Sequence, residues 1–524
     1  MDILKEICDR RRKQIEQLGF SFGHKVPEKR NRPVVPFLPE PGTILEIKRA
    51  SPSKGLIAPE LDAAKTAKTY AKAGTSAISC LTEENYFHGN LQDLQKACKA
   101  AGRKVSVLRK DFLLECEEID IAYRCGADAV LLIARILDLQ KLLSMADRAF
   151  SLGISVLLEI REDSDIEKAS HVLSLAHKMN ADSQIVLGIN SRDLKTFTID
   201  LLIPLKLKEL IRKIYSEKGE NLPFPRIISE SGVITPEAAA FVGNIGFHAV
   251  LIGEAAARDS KQAKLLVKSF TKNAGKTDRL EYEYSFWKKV SFLLEQKNEN
   301  KPLVKICGLK EKEDALKAAL LGADILGFIF AEKSPRTNSS ADGQKLAEIR
   351  QELAEYAQSG KINKVPLMAG VIVEPESEAG NAAYKLCCQG ILDGIQFHGC
   401  AEKADISMGY PAVPLAEEED VLQLKQILAR GFPRVIIDAK NINKENAEGD
   451  ERYGGTGKTV PEHLVEEAAK LSPLWLSGGV TPENAALLVK KFNPELIDVC
   501  SGLESEPGKK DHAKLEALFQ SILE

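Results

Sequence analysis

Two phrases in this chain nearly repeat each other: Ser231-Gly232-Val233-Ile234-Thr235-Pro236-Glu237 and Ser477-Gly478-Gly479-Val480-Thr481-Pro482-Glu483. Each follows an apolar run and precedes a helical pattern. A second apolar run with a terminal glycine arrives soon afterwards, Ala249-Val250-Leu251-Ile252-Gly253 in one copy and Leu496-Ile497-Asp498-Val499-Cys500-Ser501-Gly502 in the other. That layout matches the phosphate cradle that (β/α)8 barrels build after strands seven and eight. Small residues let backbone N–H groups reach phosphate oxygens, and the next helix offers its positive N-terminal end. The copies lie roughly 250 residues apart, about one typical barrel. The chain is therefore expected to hold two consecutive phosphate-binding barrels.

The rest of the sequence follows the same division. Short β-branched runs alternate with helical patterns, the signature of βαβ units and a parallel sheet. Candidate strands fall at 44–48, 76–81, 105–110, 129–133, 154–160, 185–190, 226–229 and 249–253. After a polar stretch the alternation restarts at 303–306, 325–330, 367–373, 394–397, 412–415, 434–437, 474–476 and 496–500, the fifth run being weak. The segment before Thr43 reads as one basic helix and a crossing with Pro27, Pro33, Pro36, Pro39 and Pro41, an extension expected to pack over a barrel end. The expected division is a first barrel over 1–270, a partly helical linker over 271–302 and a second barrel over 303–524.

At 524 residues the chain exceeds what one hydrophobic core usually supports. A formal net charge of −3, with acids and bases almost balanced, argues against a general nucleic-acid surface or a membrane-attracted stripe. The 10 cysteines form no Cys-x-x-Cys pair, so neither a zinc site nor a disulfide framework is suggested, and free thiols fit a reducing cytoplasm. The N-terminus lacks the apolar core of a signal peptide, and no run approaches the ~18 apolar residues of a membrane span.

Barrel active sites gather residues at C-terminal strand ends. In the first unit Glu46 and Lys48 end strand one, Glu83 follows strand two, Lys110 ends strand three, Glu159 ends strand five and Asn190 ends strand six, with Glu230 and Ser231 after strand seven. Singly, each reads as a solvated strand-end charge or a layer-filling ion pair. Together on one rim, opposed lysines and glutamates can divide acid and base duties, each setting the other's charge state.

At Glu46-Ile47-Lys48-Arg49-Ala50-Ser51-Pro52-Ser53-Lys54-Gly55 the chain resembles the indole-3-glycerol-phosphate synthase family. The likeness extends over about residues 1 to 270, through Leu81-Thr82-Glu83-Glu84 with Tyr86-Phe87, Arg109-Lys110-Asp111-Phe112, Leu158-Glu159 and Gly188-Ile189-Asn190-Ser191-Arg192-Asp193-Leu194. The resemblance implies closure of an indole ring on a phosphorylated carboxyphenylamino-deoxyribulose, with loss of carbon dioxide and water. It implies Lys110 as general acid at the ketone and Glu159 as acid or base for the leaving hydroxyl, with Lys48 and Glu46 in binding and proton transfer. Ser51, Glu83, Asn190, Arg192, Glu230 and Ser231 correspond to further substrate positions. Phosphate is expected on backbone amides near Gly232, Gly253 and Glu254, the last with its carboxylate turned away.

The second unit opens with Val304-Lys305-Ile306-Cys307-Gly308-Leu309, which puts a thiol at the end of strand one. Asp438 ends strand six. Alone, Cys307 reads as an inert buried cysteine and Asp438 as structural; together they offer a base and an acid on one rim. The loop Gly454-Gly455-Thr456-Gly457-Lys458-Thr459 invites a nucleotide-binding reading, but a P-loop needs glycine where Arg452 stands. A mobile lid fits better.

Over about residues 303 to 524 the chain resembles the phosphoribosylanthranilate isomerase family. The likeness is carried by Lys305-Ile306-Cys307-Gly308-Leu309, Gly327-Phe328-Ile329-Phe330 with Lys333-Ser334-Pro335-Arg336, Gln396-Phe397-His398-Gly399 and the cradle residues. It implies Cys307 as the base that removes the C2′ proton and Asp438 as the acid at the furanose oxygen, an Amadori rearrangement without metal or organic cofactor. Arg336 is implied at the anthranilate carboxylate, a task suited to a planar fork of donors. His398 is implied as a further substrate contact, and Gly478, Gly479, Ser501 and Gly502 as phosphate holders. After Thr459 the family commonly continues with an aromatic, an aspartate and a tryptophan, where this chain has Val460-Pro461-Glu462.

The expected partners are small sugar phosphates, with no nucleic acid, membrane or obligate protein partner. Rival readings are another pair of sugar-phosphate barrels, a non-catalytic double barrel that only binds such ligands, and a chain with one active barrel. The first rival needs aspartate pairs or metal-binding histidines at strand ends, which this lysine and glutamate set does not supply.

Overall fold

A computed structural model describes residues 3–52, 54–193, 198–218, 223–275, 285–297, 301–439 and 459–523. Ser53, Leu194, part of the expected linker and residues 454–458 of the glycine-rich loop lie outside them. The chain divides into two compact units, Met1–Asp278 and Arg279–Glu524. Among the described residues no helix is long and apolar enough to cross a membrane.

The first unit is a closed barrel of eight parallel strands: β1 (Gly42–Ile47), β2 (Ala77–Leu81), β3 (Ser106–Lys110), β4 (Ala129–Ile133), β5 (Ser155–Ile160), β6 (Ile185–Asn190), β7 (Arg226–Glu230) and β8 (Ala249–Ile252). The ring closes where β1 pairs with β8, Thr43 opposite Val250. The strands are buried along almost their whole length, as expected when helices cover one face and a filled barrel the other. Leu108, Leu131, Leu157, Val186 and Ile228 belong to a buried cluster that also takes in Ile44, Ala129 and Leu251.

The N-terminal extension serves both ends of this barrel. Its helix α1 (Ile3–Leu18) buries Leu4 and Ile7 beside Phe112, which follows the C-terminal end of β3. Arg11 on the same helix donates to Asp111 Oδ2 (2.6 Å) and Glu118 Oε1 (3.0 Å), all three side chains being buried. Arg109 adds a bond to Asp111 Oδ2 at 3.1 Å. Arg11, despite the cost of burying it, holds its proton more tightly beside these carboxylates; Asp111, in turn, is held below the usual carboxylate range despite its own burial. The proline-rich crossing then runs to the opposite end. There Arg226, which starts β7, donates to the Phe37 and Leu38 carbonyls, and buried Phe37 and Leu38 close the barrel floor.

The second unit repeats the architecture with β9 (Leu303–Ile306), β10 (Ile325–Phe330), β11 (Leu367–Ile372), β12 (Gly394–His398), β13 (Gly409–Leu415), β14 (Ile436–Ala439), β15 (Trp475–Leu476) and β16 (Leu496–Val499). The weak fifth run is the longest of these strands, its start hidden in the sequence by Gly409 and Pro411. The helix Ser285–Gln296, inside the stretch expected as a linker, belongs to this unit. It floors the barrel: Phe286 stacks on Tyr410 (5.5 Å between centroids), Tyr410 meets the Trp475 edge at 5.0 Å, and Trp287 Nε1 donates to the Ile406 carbonyl at 2.7 Å. Each such aromatic pair adds about 0.5–1.5 kcal/mol beyond area burial.

Candidate active sites

In the first barrel the odd-numbered strands each deliver one charged side chain to a single layer at the mouth: Glu46 from β1, Lys110 from β3, Glu159 from β5 and Glu230 from β7. Contribution of a layer by alternate strands is the packing rule of such barrels. Lys110 Nζ lies 3.4 Å from Glu159 Oε2 and 3.3 Å from Glu230 Oε2. Lys48 Nζ lies 3.3 Å from Glu46 Oε1 and 5.5 Å from the centre of the Phe87 ring. Ser79 of β2 donates to Glu46 Oε2 at 3.3 Å. A Cβ at Gly188 of β6 would fall 1.9 Å from Glu230 Oε1, so only glycine there leaves space for that carboxylate.

The layer's electrostatics follow from excess acid. Burial alone would strip the Lys110 proton, but Glu230, Glu159 and Glu46 together hold it on, and the ammonium persists well above the usual lysine range. Burial pushes Glu230 up to about 8, with Glu159 and Glu46 adding to the shift and Lys110 opposing it. Among the described residues Glu230 Oε1 finds no hydrogen-bond donor. The layer therefore couples an ammonium that holds its proton to a carboxyl displaced toward its neutral form.

The other expected positions vary in how they face this layer. Asn190 is buried at the end of β6, its Oδ1 accepting from Arg192 N–H at 3.0 Å. Burial pulls the Arg192 guanidinium below its usual value, opposed by Glu254 and Glu46. Ser51 is buried in a short antiparallel pairing, Ala50–Ser51 with Gly55–Leu56, just beyond β1. Glu83 is occupied locally, accepting from the N–H groups of Asn85 (3.0 Å), Tyr86 (2.7 Å) and Phe87 (3.1 Å). It shapes the loop that carries Phe87. Glu254 Oε1 pairs with Arg258 one turn along its own helix, Glu254–Arg258, at 2.9 Å.

Strand-end logic overlooked Arg135 and Arg161, which follow β4 and β5 and line a narrow cleft with Glu159, Asn190 and Arg192. The same strand-end rule applied to every strand would have found them. Arg161 donates to the Asn190 carbonyl at 3.1 Å.

The two cradle phrases share a backbone turn, though not in the pairing their letters suggest. Ser231 and Gly232 have φ of 69° and 82°, and Gly478 and Gly479 have 87° and 65°. Ser231 therefore matches Gly478 in conformation, and a non-glycine residue carries roughly 1–2 kcal/mol of strain there. Ser191 Oγ braces the turn by donating to the Glu230 (2.8 Å) and Ser231 (3.0 Å) carbonyls. The shared Thr-Pro-Glu also diverges. Thr235 caps the helix Pro236–Asn244, whereas the second helix starts later, at Ala485–Phe492, with Asn484 Oδ1 accepting from Thr481 N–H.

In the second barrel the polar groups form two tiers. The lower is a buried network in which Lys305 Nζ donates to Asp498 Oδ2 (2.6 Å) and Gln396 Oε1 (2.7 Å), and Tyr410 Oη donates to Gln396 Oε1 (3.2 Å). Two residues on, strand alternation returns each chain to the same face: Cys307 above Lys305, His398 above Gln396 and Cys500 above Asp498. Asp438 near the end of β14 joins this upper tier, its Oδ2 lying 3.6 Å from His398 Nε2 and its Oδ1 accepting from Ala439 N–H at 2.9 Å. A hydrogen bond to Cys500, then burial, push the Cys307 thiol up, and Lys305 opposes both.

Arg336 is half-buried and engaged by Glu504, which accepts from Nε at 2.8 Å and Nη2 at 2.7 Å. Lys510 Nζ lies 3.3 Å from the same carboxylate. Glu504, just beyond the second cradle's Ser501–Leu503 turn, was not singled out in the sequence; nothing local marks it, since its partner lies 168 positions away. A Cβ at Gly502 would fall 2.3 Å from the Val480 carbonyl oxygen, so the two cradle loops touch through this glycine. Among the described residues no group of three or more His, Cys, Asp or Glu is placed to hold a metal ion.

Known families match the two units separately. The family described as indole-3-glycerol phosphate synthase matches residues 4–269, and that described as N-(5'phosphoribosyl)anthranilate (PRA) isomerase matches residues 304–521. A tryptophan biosynthesis protein TrpCF of Vibrio parahaemolyticus is 30% identical over 91% of this chain and 84% of its own length. A multifunctional tryptophan biosynthesis protein of Phycomyces blakesleeanus is 29% identical over 92% of this chain and 62% of its own. An indole-3-glycerol phosphate synthase of Geobacillus thermodenitrificans is 32% identical over 52% of this chain and 98% of its own length. The chain spans 60% to 69% of the length of the multifunctional relatives it matches. It belongs to the family of tryptophan biosynthesis proteins in which an indole-3-glycerol phosphate synthase barrel precedes a PRA isomerase barrel.

Proposed function

We propose that the second barrel isomerises N-(5-phosphoribosyl)anthranilate to 1-(2-carboxyphenylamino)-1-deoxyribulose 5-phosphate, and that the first barrel converts this product to indole-3-glycerol phosphate with loss of CO2 and water. The observation that carries the reading is the Lys110 layer: an ammonium from β3 within 3.4 Å of one buried carboxyl group from β5 and 3.3 Å of another from β7, at one barrel mouth.

In the first barrel, Lys110 protonates the ketone oxygen as the aromatic ring carbon attacks it, and Glu159 exchanges the proton needed for the hydroxyl to leave. Lys48 and Glu46 bind substrate and move protons, while Ser51, Glu83, Asn190, Arg192, Glu230 and Ser231 surround it. Glu83 acts through its hold on the Phe87 loop. The phosphate rests on backbone amides at Gly232, Gly253 and Glu254, supported by the pairing of the Glu254 carboxylate with Arg258 rather than with the cradle.

In the second barrel, Asp438 protonates the ribose ring oxygen as the ring opens, and Cys307 removes the C2′ proton. Lys305 one tier below works against the burial that pushes this thiol up. Arg336 meets the anthranilate carboxylate by exchanging it for Glu504, His398 contacts substrate beside Asp438, and Gly478, Gly479, Ser501 and Gly502 hold phosphate. The isomerisation is proton transfer and bond rearrangement within the substrate, and the ring closure adds release of CO2 and water, chemistry that calls for no metal, organic cofactor or obligate protein partner. A cytoplasmic location completes the reading.

Expression of this one chain in two separate tryptophan auxotrophs, one lacking each step, tests the reading. Rescue of both is expected. Rescue of neither would favour a binding-only double barrel, and rescue of one would show a single active barrel.

A further inference from the structure

The mouth of the second barrel holds a second thiol that the isomerisation does not use. Strands β9 and β16 run in parallel register, Lys305 opposite Asp498 and Ile306 opposite Val499, so the next rung sets Cys307 opposite Cys500. The bond that closes the last pairing, Cys307 N–H to the Val499 carbonyl at 2.9 Å, holds Cys307 against the end of β16, one residue before Cys500. Neighbouring strands lie about 4.8 Å apart, inside the roughly 4.4–6.8 Å separation of Cα atoms that a disulfide spans. A Cβ at Gly308, the residue after Cys307, would fall 2.8 Å from Cys500 Sγ, so the Cys500 sulfur lies against the Cys307 end of β9. Cys307 is buried, and Cys500 is partly exposed.

We propose that Cys307 and Cys500 are a modification site that hydroperoxides oxidise to a reversible disulfide across the β9–β16 rung. Cys500 reacts first, because it is the less buried residue of the two and because its surroundings favour thiolate. Lys510 Nζ donates to the Cys500 carbonyl at 2.9 Å, and Arg336 lies beside it. The hydrogen bond it accepts from Cys307, against the effect of burial, holds its thiol below the usual range. The Cys500 thiolate attacks the peroxide; the O–O bond breaks, an S–O bond forms, and alkoxide or hydroxide leaves and takes up a proton. Cys307 sulfur then displaces hydroxide from the resulting sulfenic acid, forming the S–S bond and releasing water. The two thiols lose two electrons and two protons, and the peroxide is reduced to an alcohol, or to water, plus water. Cytosolic disulfides are typically transient devices of this kind.

The consequence for activity rests on the role proposed for Cys307; the bond itself does not. The full chain is treated with a small excess of hydrogen peroxide, digested under thiol-blocking conditions and mapped by mass spectrometry, with both activities assayed before and after dithiothreitol. The expected result is a Cys307–Cys500 linked peptide, an isomerase loss on the order of a hundredfold, full recovery with dithiothreitol and unchanged synthase activity. In Cys500→Ser, measured against its own untreated activity, any loss should fail to recover through a disulfide. Absence of the linked peptide, or the same reversible loss in Cys500→Ser, would overturn the proposal. A linked peptide with unimpaired isomerase would uphold the site and defeat the role assigned to Cys307.

Discussion

The two barrels are alike in frame and cradle turn and unlike in the side chains that fill their mouths. Both close the floor with an aromatic supplied by the preceding segment, Phe37 in one and Phe286 in the other, and both make a left-handed two-residue turn after strand seven. Above that frame the first barrel fills its mouth with a charged layer drawn from alternate strands. The second keeps a charge pair buried one tier down, in Lys305 and Asp498, and places a thiol, an imidazole and an aspartate in the tier above. A common scaffold therefore leaves the choice of chemistry to a handful of inward positions, two residues apart on each strand.

The contrast can be broken first at the anchor of the charged layer. Arg11→Ala removes the buried cation that bridges Asp111 and Glu118 and leaves Arg109 as the remaining guanidinium beside them, a change that costs about 1–3 kcal/mol. Chemical denaturation should show the first unit unfolding early and the second unmoved. Next comes the contact between the second cradle's loops. Gly502→Ala drives a methyl group against the Val480 carbonyl, and isomerase KM should rise by about tenfold, equivalent to ~1.4 kcal/mol, while synthase KM stays constant. A KM unchanged for both substrates would remove Gly502 from the cradle.

Glu230 sharpens the comparison through pH. Its folded value of about 8 lies above the usual carboxyl range, so the folded state favours its protonated form. That contribution is complete below the unfolded pKa near 4.3 and is lost as pH rises through 8. Glu230→Gln cannot ionise, so at pH 8.5 its first unit should melt several degrees higher than the parent's, at about 2–4 °C per kcal/mol. At pH 4 the two should coincide, and calorimetry across this window would expose an opposite trend. The smallest effect is expected from Glu254→Ser. With the Glu254 carboxylate paired to Arg258, synthase KM should change by no more than about twofold, within the ~0.5 kcal/mol of a surface substitution; a large gain in affinity would show that this carboxylate faces the phosphate.

Much of this was legible in the sequence because barrel strands announce themselves as β-branched runs, and because strand ends collect Glu46, Lys110, Glu159, Cys307 and Asp438 at a regular rhythm. What stayed hidden depends on partners far along the chain. Glu83 looks like a free rim acid until its bonds to the 85–87 backbone are seen, and Arg336 looks like an open fork until Glu504 is found in it. The polar-looking stretch before Leu303 carries the floor of the second barrel because Phe286 finds Tyr410 across more than a hundred residues. Cys307 and Cys500 become neighbours only when the first and last strands of a barrel close on each other.

The central claim is that one frame carries two independent sets of chemical groups. Its most direct test is to purify the full chain as Lys110→Ala and as Cys307→Ala and assay each for both reactions. Loss of synthase activity alone in the first and of isomerase activity alone in the second, each by about 10²–10⁴-fold, is the predicted result. Loss of both activities from either single substitution, in protein that remains folded, would contradict it.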